Sequence, residues 1–571
     1  MANQAAPGGP NPGPIDPAAG PRWALAGRLV TMDPNRPLAV DGVLWIAEGQ
    51  IGAITQAGDG TPPGFEGVAP LEAGGTVFPG LIDLHNHVAY NLLPLWQVPQ
   101  HYTNRDTWGN SAEYHQKVTA PMKTIGEATA LLPALVRYVE CKALIGGVTT
   151  TQGIALFSAP GIRRYYRGIV RNVEQTDDPA LPDAGSRIAD VQATDPQAFL
   201  AELKGKQCFL LHLSEGTDDA AHKHFEALAL PNDGGWAITP ALAGIHCVAL
   251  KPPDFQVMAS HGASMVWSPF SNLLLYGATA NVAAALAAST ADTRFKIGLG
   301  SDWSPSGSKS LFGELKVAHV YSQNNGNPFT DEELVRMATL GAAEIVGWDK
   351  ELGSLTVGKR ADLVVVSGQD DGAPVGPLFG GDERTIQLVV INGTPRYGTP
   401  ALMAADGPGV QTLTVGGEPR VLYLTQATED PDVATLSLAD ATAKLADALE
   451  NIKAVRLEQE AAQPRRAGLE PLAAAPDVEP GHPRLALDEF EHTAFTQRPH
   501  LPLDGAITGP QDHTAASAPE EPLSAMLSPI PLDALTVADD SGWLDSLQTE
   551  HNLPDYLLPG LRALYAVTPP H

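Results

Sequence analysis

The stretch Pro79-Gly80-Leu81-Ile82-Asp83-Leu84-His85-Asn86-His87 is an apolar run that ends in two histidines two positions apart. Alternate residues of a strand point to the same face, so both imidazoles can converge on one metal ion. Alone, the pair does not separate a metal site from ordinary packing. Three further apolar runs end in the same manner. Phe209-Leu210-Leu211-His212-Leu213-Ser214-Glu215 ends in HxxE, Gly244-Ile245-His246-Cys247 in His, and Ile297-Gly298-Leu299-Gly300-Ser301-Asp302 in Asp. Four apolar strands that each present His, Glu or Asp at the C-terminal end are not a packing pattern. His85, His87, His212 and Asp302 supply three imidazoles and a carboxylate. That set suits Zn²⁺, with Fe²⁺ as the alternative, and leaves a coordination position for water.

Outward from these runs, strands and helices alternate between Val77 and Gly347. Candidate strands are Val77–Leu84, Val148–Gly153, Ile169–Glu174, Ile188–Ala193, Phe209–Leu213, Gly244–Val248, Ser264–Trp267 and Lys296–Gly300. Eight strands over about 270 residues match an α/β fold of the (β/α)8, or TIM-barrel, type, whose catalytic groups stand at the C-terminal strand ends. The flanks read differently. RLVTM, GVLWIAEG and QIGAITQAG before the barrel, and GSLTVGKRADLVVVSG and TIQLVVINGTPRYG after it, are short β runs broken by turns, which predicts one β unit completed from both sides. The division is 1–21 disordered, 22–76 and 350–425 the β unit, 77–349 the barrel, and 426–571 a C-terminal extension. The extension holds a helix over Leu436–Glu460, a Pro/Ala-rich linker (Gln463–Pro483), and an acidic, irregular tail with a short apolar helix near Tyr556–Val567.

Length and charge bound the function. A chain of 571 residues exceeds one core, since single cores stop growing at roughly 250–300 residues. Asp plus Glu number 65 against 36 Lys plus Arg, a formal net charge of −29. That excess repels phosphate backbones and anionic lipid, so neither nucleic acid nor a membrane is an expected partner. Cys141, Cys208 and Cys247 are too scattered for a disulfide framework, and the N-terminal residues lack a basic and an apolar signal region. The expectation is a cytoplasmic protein that takes a small-molecule substrate.

PGLIDLHNH, HLSE, GIH and GLGSD, in this order and spacing, resemble the amidohydrolase superfamily, over about residues 22–425. The split β unit is similar to that superfamily's composite β-sandwich. HxxE on the fifth strand resembles the mononuclear branch, which contains nucleobase deaminases, triazine hydrolases and imidazolone hydrolases. The resemblance implies one divalent metal ion per subunit, held by His85, His87, His212 and Asp302, with Glu215 as proton shuttle and His246 as the sixth-strand histidine. It also implies a homo-oligomer. A metal brings the pKa of water toward neutrality and generates hydroxide at the site. Asp302 can orient that water or take its proton, and Glu215 can protonate a leaving nitrogen. His246 can hydrogen-bond a developing oxyanion or orient the nucleophile. The implied activity is hydrolysis of a non-peptide C–N bond, in a cyclic or aryl amide. The alternatives are release of ammonia from a heteroaromatic ring, departure of a halide, and an inactive scaffold that binds.

Three departures bear on the substrate. The fourth strand reads Ile188-Ala189-Asp190-Val191-Gln192-Ala193, without the His of many deaminases. An Arg-Gly element after HxH is replaced by VAYNLLPLWQVPQHYTNRDTW. The eighth-strand loop is Trp303-Ser304-Pro305-Ser306-Gly307-Ser308-Lys309. Just beyond strand ends, Tyr90, Trp96, Trp303, Ser304 and Lys309 are candidate substrate contacts, an aromatic wall suited to a planar ligand. Arg171 and Glu174 are within possible reach, and Glu174 is the candidate bridge should a second metal bind. His222 and His224 form a second HxH, but on a helical pattern, where i and i+2 do not share a face.

Overall fold

The computed structural model describes residues 13–18, 20, 22–153, 156–157, 168–187, 195–231, 234–289, 294–369, 372–426, 430–462, 484–485 and 522–567. The chain begins with strands β1 (Arg22–Val30), β2 (Ala39–Ala47), β3 (Gln50–Gln56) and β4 (Leu71–Pro79). It returns to the same sheet with β14 (Leu363–Ser367), β15 (Ile386–Ile391), β16 (Thr394–Gly398), β17 (Val410–Val415) and β18 (Glu418–Tyr423). These nine strands are ordered β17-β18-β16-β15-β14-β4-β1-β2-β3. The seam is the antiparallel pairing of β4 with β14, which sets Val77 opposite Val365. Leu25, Leu44, Val77, Leu363, Val365 and Leu388 share one buried apolar cluster, so the two flanks are joined by a common core. The expectation of a disordered start does not hold at Ile15. Its backbone N–H donates to Leu402 at 2.9 Å, extending the unit's edge by a bridge to Met403.

Between the flanks lie β5 (Leu81–Asp83), β6 (Val148–Thr151) and β8 (Arg171–Asn172), paired in parallel as β5-β6-β8. A second parallel sheet, β13-β12-β11-β10-β9, comprises β9 (Gly185–Arg187), β10 (Phe209–Leu213), β11 (Leu242–His246), β12 (Ser264–Trp267) and β13 (Ile297–Leu299). The short β7 (Leu156–Phe157) pairs instead with β19 (Arg484–Leu485). Backbone bonds meet at both edges of the two parallel sheets, Leu84 N–H to Leu299 O at 3.3 Å and Ala184 N–H to Val173 O at 2.8 Å. Every residue of β10, β11 and β12 is buried, as parallel strands covered on both faces require.

Two strand expectations change. The run Val77–Leu84 is divided at Gly80. Leu71–Pro79 belongs to the nine-stranded sheet, and only Leu81–Asp83 to the parallel one. A Cβ at Gly80 would sit 2.4 Å from the Thr149 side chain, so the chain can cross there only as glycine. The fourth strand expectation, Ile188–Ala193, lies outside the described residues; β9 precedes it.

The extension is built into the fold. Its expected single helix is two, Leu438–Glu450 and Ile452–Ala462, separated at Asn451. The first packs on the helix Leu132–Ile145, where buried Arg137 donates to the carbonyls of Leu436 (3.2 Å) and Val433 (3.0 Å). Over 522–567 the tail is largely irregular and carries a short apolar helix, Leu557–Tyr565, but it is packed against the fold. Leu527, Ile530, Trp543, Leu557 and Leu561 join the main apolar core, and the helix Leu557–Tyr565 packs on Leu311–Asn324. The Pro/Ala-rich linker lies outside the described residues.

Candidate metal centre and active site

The turn after β5 presents His85 and His87, β10 carries His212, β11 ends on His246, and Asp302 follows β13. Asp302 and His246 have positive φ, 65° each, a conformation that costs a non-glycine residue energy and persists only where neighbours enforce it. For Asp302 the enforcement is visible. Its N–H donates to the His85 carbonyl at 2.8 Å, and its carbonyl accepts from His87 N–H at 2.6 Å. Beside it, Gly300 lies so close that a Cβ would be 2.4 Å from the His85 Cβ.

Ligand atoms converge in three overlapping buried groups: His85, His87 and His212; His85, His246 and Asp302; and His212, Glu215 and His246. His87 Nε2 is 3.2 Å from His212 Nε2. Asp302 Oδ1 is 3.1 Å from His85 Nε2 and 3.5 Å from His87 Nε2. Ligands at ~2.05 Å around a tetrahedral ion stand about 3.3 Å apart, which is the spacing found here.

Protonation supports the same fit. Gln152 Oε1 accepts from Asn86 N–H at 3.0 Å, which fixes its amide oxygen toward His85 Nδ1 at 3.4 Å. The His85 proton therefore lies on Nδ1, and its buried Nε2 has no hydrogen-bond partner. A lone pair facing the Asp302 carboxylate needs a cation between them. His212 Nδ1 is also buried without a partner. Burial, then the neighbouring imidazoles, keeps His212 well below the usual histidine range, so it is neutral, the form that ligates. Burial would push the Asp302 carboxyl up, but positive charge at the His85, His246 and His87 side chains beside it holds it well down, and where those imidazoles are neutral a bound metal cation would supply that charge. The residues present therefore fit a divalent metal.

Glu215 stands beside this set. Its Oε2 is 3.7 Å from His246 Nε2 and 3.9 Å from Arg105 Nε, while its Oε1 accepts from the Tyr276 hydroxyl at 2.7 Å. Trp108 Nε1 donates to that hydroxyl at 2.7 Å, which leaves the Tyr276 proton for Glu215. Asn272 donates through Nδ2 to Thr279 Oγ1 at 3.1 Å and so turns Oδ1 toward His246 Nδ1 at 2.8 Å. The His246 proton is thereby placed on Nδ1, and burial depresses its pKa. Neutral His246 thus presents a lone pair on Nε2. Asp83, below the ligands, accepts from Ser301 N–H (3.1 Å) and Asn86 Nδ2 (3.0 Å), and burial pushes its carboxyl up to about 6.

The aromatic candidates divide. Tyr90 and Trp303 pack against His87, with ring centroids 6.3 and 5.5 Å from it. Trp96 stacks one layer out, on Tyr102 and Tyr114. Ser304 and Lys309 are not brought to the ligand set. Ser304 Oγ accepts from Lys142 Nζ at 2.8 Å, and Lys309 Nζ pairs with Asp533 (2.5 Å) and Asp540 (2.8 Å). Arg171 bonds Asp362 at 2.7 Å and Asn392 at 2.8 Å, tying β8 to the nine-stranded sheet. Glu174 accepts from Gly153 N–H and the Ser186 hydroxyl, and is in none of the ligating groups among the described residues. His222 pairs with Asp254 at 2.8 Å.

Tyr276, Asn272, Trp108 and Gln152 carried no sequence signal for these roles. Trp108 is the last residue of the aromatic insertion, which marked it as aromatic but not as a partner of Tyr276. Asn272 and Tyr276 share one face of the helix Pro269–Tyr276, four residues apart.

This donor set, on parallel strands with an adjacent carboxylate, could hold a divalent metal beside a group able to carry protons. Residues 211–396 match the model described as the Amidohydrolase family. A 5-methylthioadenosine/S-adenosylhomocysteine deaminase of Desulforudis audaxviator is 26% identical over 354 residues, 55% of this chain and 79% of that protein. A guanine deaminase of Homo sapiens is 27% identical over 213 residues, 32% of this chain and 45% of that protein. The solved atrazine chlorohydrolase of Arthrobacter aurescens TC1, complexed with zinc, matches with a TM-score of 0.50 at 19% identity. It covers 65% of this chain and 94% of that one. Over residues 211–396 the chain is similar to the Amidohydrolase family, and the relatives it matches are deaminases.

Proposed function

We propose that the protein hydrolyses a non-peptide C–N bond in a planar small molecule, with ring deamination as the reaction favoured over cleavage of a cyclic or aryl amide. The observation that carries the hydrolytic reading is the convergence of His85, His87, His212 and Asp302 beside a carboxylate whose two oxygens are differently engaged. Deamination is favoured because the deaminases above match 354 and 213 residues of this chain. The aromatic faces of Tyr90 and Trp303 beside His87 suit a flat ring.

His85, His87, His212 and Asp302 would hold one ion per subunit, zinc, with iron as the alternative. A divalent metal there supplies a Lewis acid that lowers the pKa of water. Asp302 is ionised and stands ready to accept a proton from that water. Glu215 keeps Oε1 pinned to Tyr276 and offers Oε2 to carry the proton to the departing nitrogen. Neutral His246, its proton on Nδ1, acts as acceptor through Nε2. Of its two expected roles, orienting the nucleophile fits this tautomer and donation to an oxyanion does not.

The two parallel sheets are proposed to form one closed (β/α)8 barrel, supported by the Leu84–Leu299 and Ala184–Val173 bonds at their edges. The nine-stranded unit is proposed as its composite β-sandwich domain, over residues 22–76 and 350–425. Cytoplasmic residence rests on the three cysteines, all free and buried, and the homo-oligomer on the family resemblance. No helix among the described residues is long and apolar enough to cross a membrane.

The test is ammonia release from 5′-methylthioadenosine, S-adenosylhomocysteine and guanine, beside a panel of cyclic and aryl amides, with metal-loaded protein. Ammonia from a purine supports deamination. Cleavage of amides alone returns the reaction to the amide reading. Loaded protein that turns over neither set overturns the proposal.

A further inference from the structure

Four charged side chains from distant parts of the chain meet away from the ligand set. Lys142 projects from the helix Leu132–Ile145, Lys309 from the segment after β13, and Asp533 and Asp540 from the C-terminal extension. Asp533 divides its carboxylate between the two lysines, 2.5 Å from each Nζ, and Lys309 also reaches Asp540 at 2.8 Å. Lys142, Lys309 and Asp533 are all buried. The extension is fastened there by its backbone as well. Asp533 N–H donates to the Leu92 carbonyl at 2.9 Å, and its carbonyl accepts from the Tyr138 hydroxyl.

From this cluster a chain of hydrogen bonds runs to the histidine turn. Lys142 Nζ donates to Ser304 Oγ and to the Asn91 carbonyl, each at 2.8 Å. Ser304 N–H donates to Asn91 Oδ1 at 2.8 Å, and Asn91 Nδ2 to Asn86 Oδ1 at 3.0 Å. Asn86 lies between His85 and His87, and its own amide reaches Asp83 and Ser301. Ser304 is two residues beyond Asp302. One carboxylate of the extension thus closes a bracket across the two loops that carry three of the four candidate ligands.

We propose that Asp533 is a positioning residue: the C-terminal extension uses it, through Lys142, to hold the His85–His87 turn and the Asp302 loop at ligating distance. This rests on the metal-site reading above. Without the Asp533 charge, two buried ammonium groups would share only Asp540. Lys142 would then have to find water or draw away from Ser304 and Asn91. Partners bonded directly to a metal's ligands commonly change affinity ten- to a hundredfold, and Asp533, three contacts further back, is expected near the lower end of that range.

The test is cobalt binding to metal-depleted full-length protein, read by visible absorption well below the melting temperature. Three proteins are compared: wild type, Asp533→Asn and Arg456→Met. Buried Arg456 ties the same extension to the exposed Glu127 through an ion pair at 2.5 Å, and among the described residues none of its hydrogen bonds goes to the ligands or to the Asn86–Asn91–Ser304 set. The expected result is about a tenfold loss of Co²⁺ affinity with altered absorption bands for Asp533→Asn. Arg456→Met should melt lower but bind cobalt as wild type does. Should Asp533→Asn not fold, Lys142→Met, which leaves Asp533 its Lys309 partner, is expected to show the same loss. Wild-type affinity and bands in the folded Asp533 or Lys142 variant would overturn the proposal. Wild-type protein that takes up no cobalt would instead overturn the metal-site reading on which it rests.

Discussion

Glu215 has its two oxygens in different company, one on a phenol and one facing His246 and Arg105. Glu215→Gln keeps the size and the Tyr276 contact but removes proton transfer. Metal content is therefore expected to stay at the wild-type level while kcat falls by about 10²–10⁴-fold. Near-normal turnover would rule out the shuttle. Tyr276→Phe removes one hydrogen bond to a carboxylate, worth about 1.5–3 kcal/mol. If that bond matters chiefly in the transition state, kcat drops roughly ten- to a hundredfold with metal retained; an unchanged kcat would show that Trp108 and Tyr276 only pack. The candidate ligands and Glu215 were legible because each lies at or near the end of an apolar run. Their supporting residues were not, since an Asn or Tyr on a helix after a strand has no local pattern that names its partner.

The close approach of β13 to the histidine turn depends on Gly300. In Gly300→Ala a new Cβ would meet the His85 Cβ and backbone N at 2.4 and 2.8 Å, all part of the ligating turn. This variant is expected to lose bound metal and melt lower. A variant with full metal content would show that the turn can move without losing its ligands. β10 and β12 were readable to the residue, because continuous apolar runs bounded by polar or turn residues admit one strand each. The run ending at His85 was not. Its apolar residues serve two sheets, and only the clash of a side chain at Gly80 with Thr149 marks where one hands over to the other. Leu436–Glu460 likewise keeps helical spacing across Asn451, where the helix nonetheless ends.

Across the molecule, the extension's role depends on contacts that sequence separation hides. Lys309 and Asp533 are 224 positions apart, and nothing near either announces the other. That is why Lys309 and Ser304 read as substrate contacts when both are engaged inside the protein. The interior also holds Glu314, which accepts from Phe270 N–H at 2.9 Å and from the Ser308 hydroxyl. Burial pushes its carboxyl up from 4.5 to about 8. The folded state thus keeps a proton that the unfolded chain releases, and this group's contribution to stability falls as pH rises from about 4.5 to about 8 and is level above it. Glu314→Gln, which cannot ionise, is expected to flatten the decline of Tm over that window. An unchanged slope would mean that Glu314 is ionised throughout.

Everything proposed for the active site depends on His85, His87, His212 and Asp302 binding a metal ion. Elemental mass spectrometry of purified wild-type protein beside His85→Ala decides this. Near one equivalent of zinc or iron is expected in the wild type, and its loss in the variant. A folded His85→Ala protein that retained a full equivalent would contradict it.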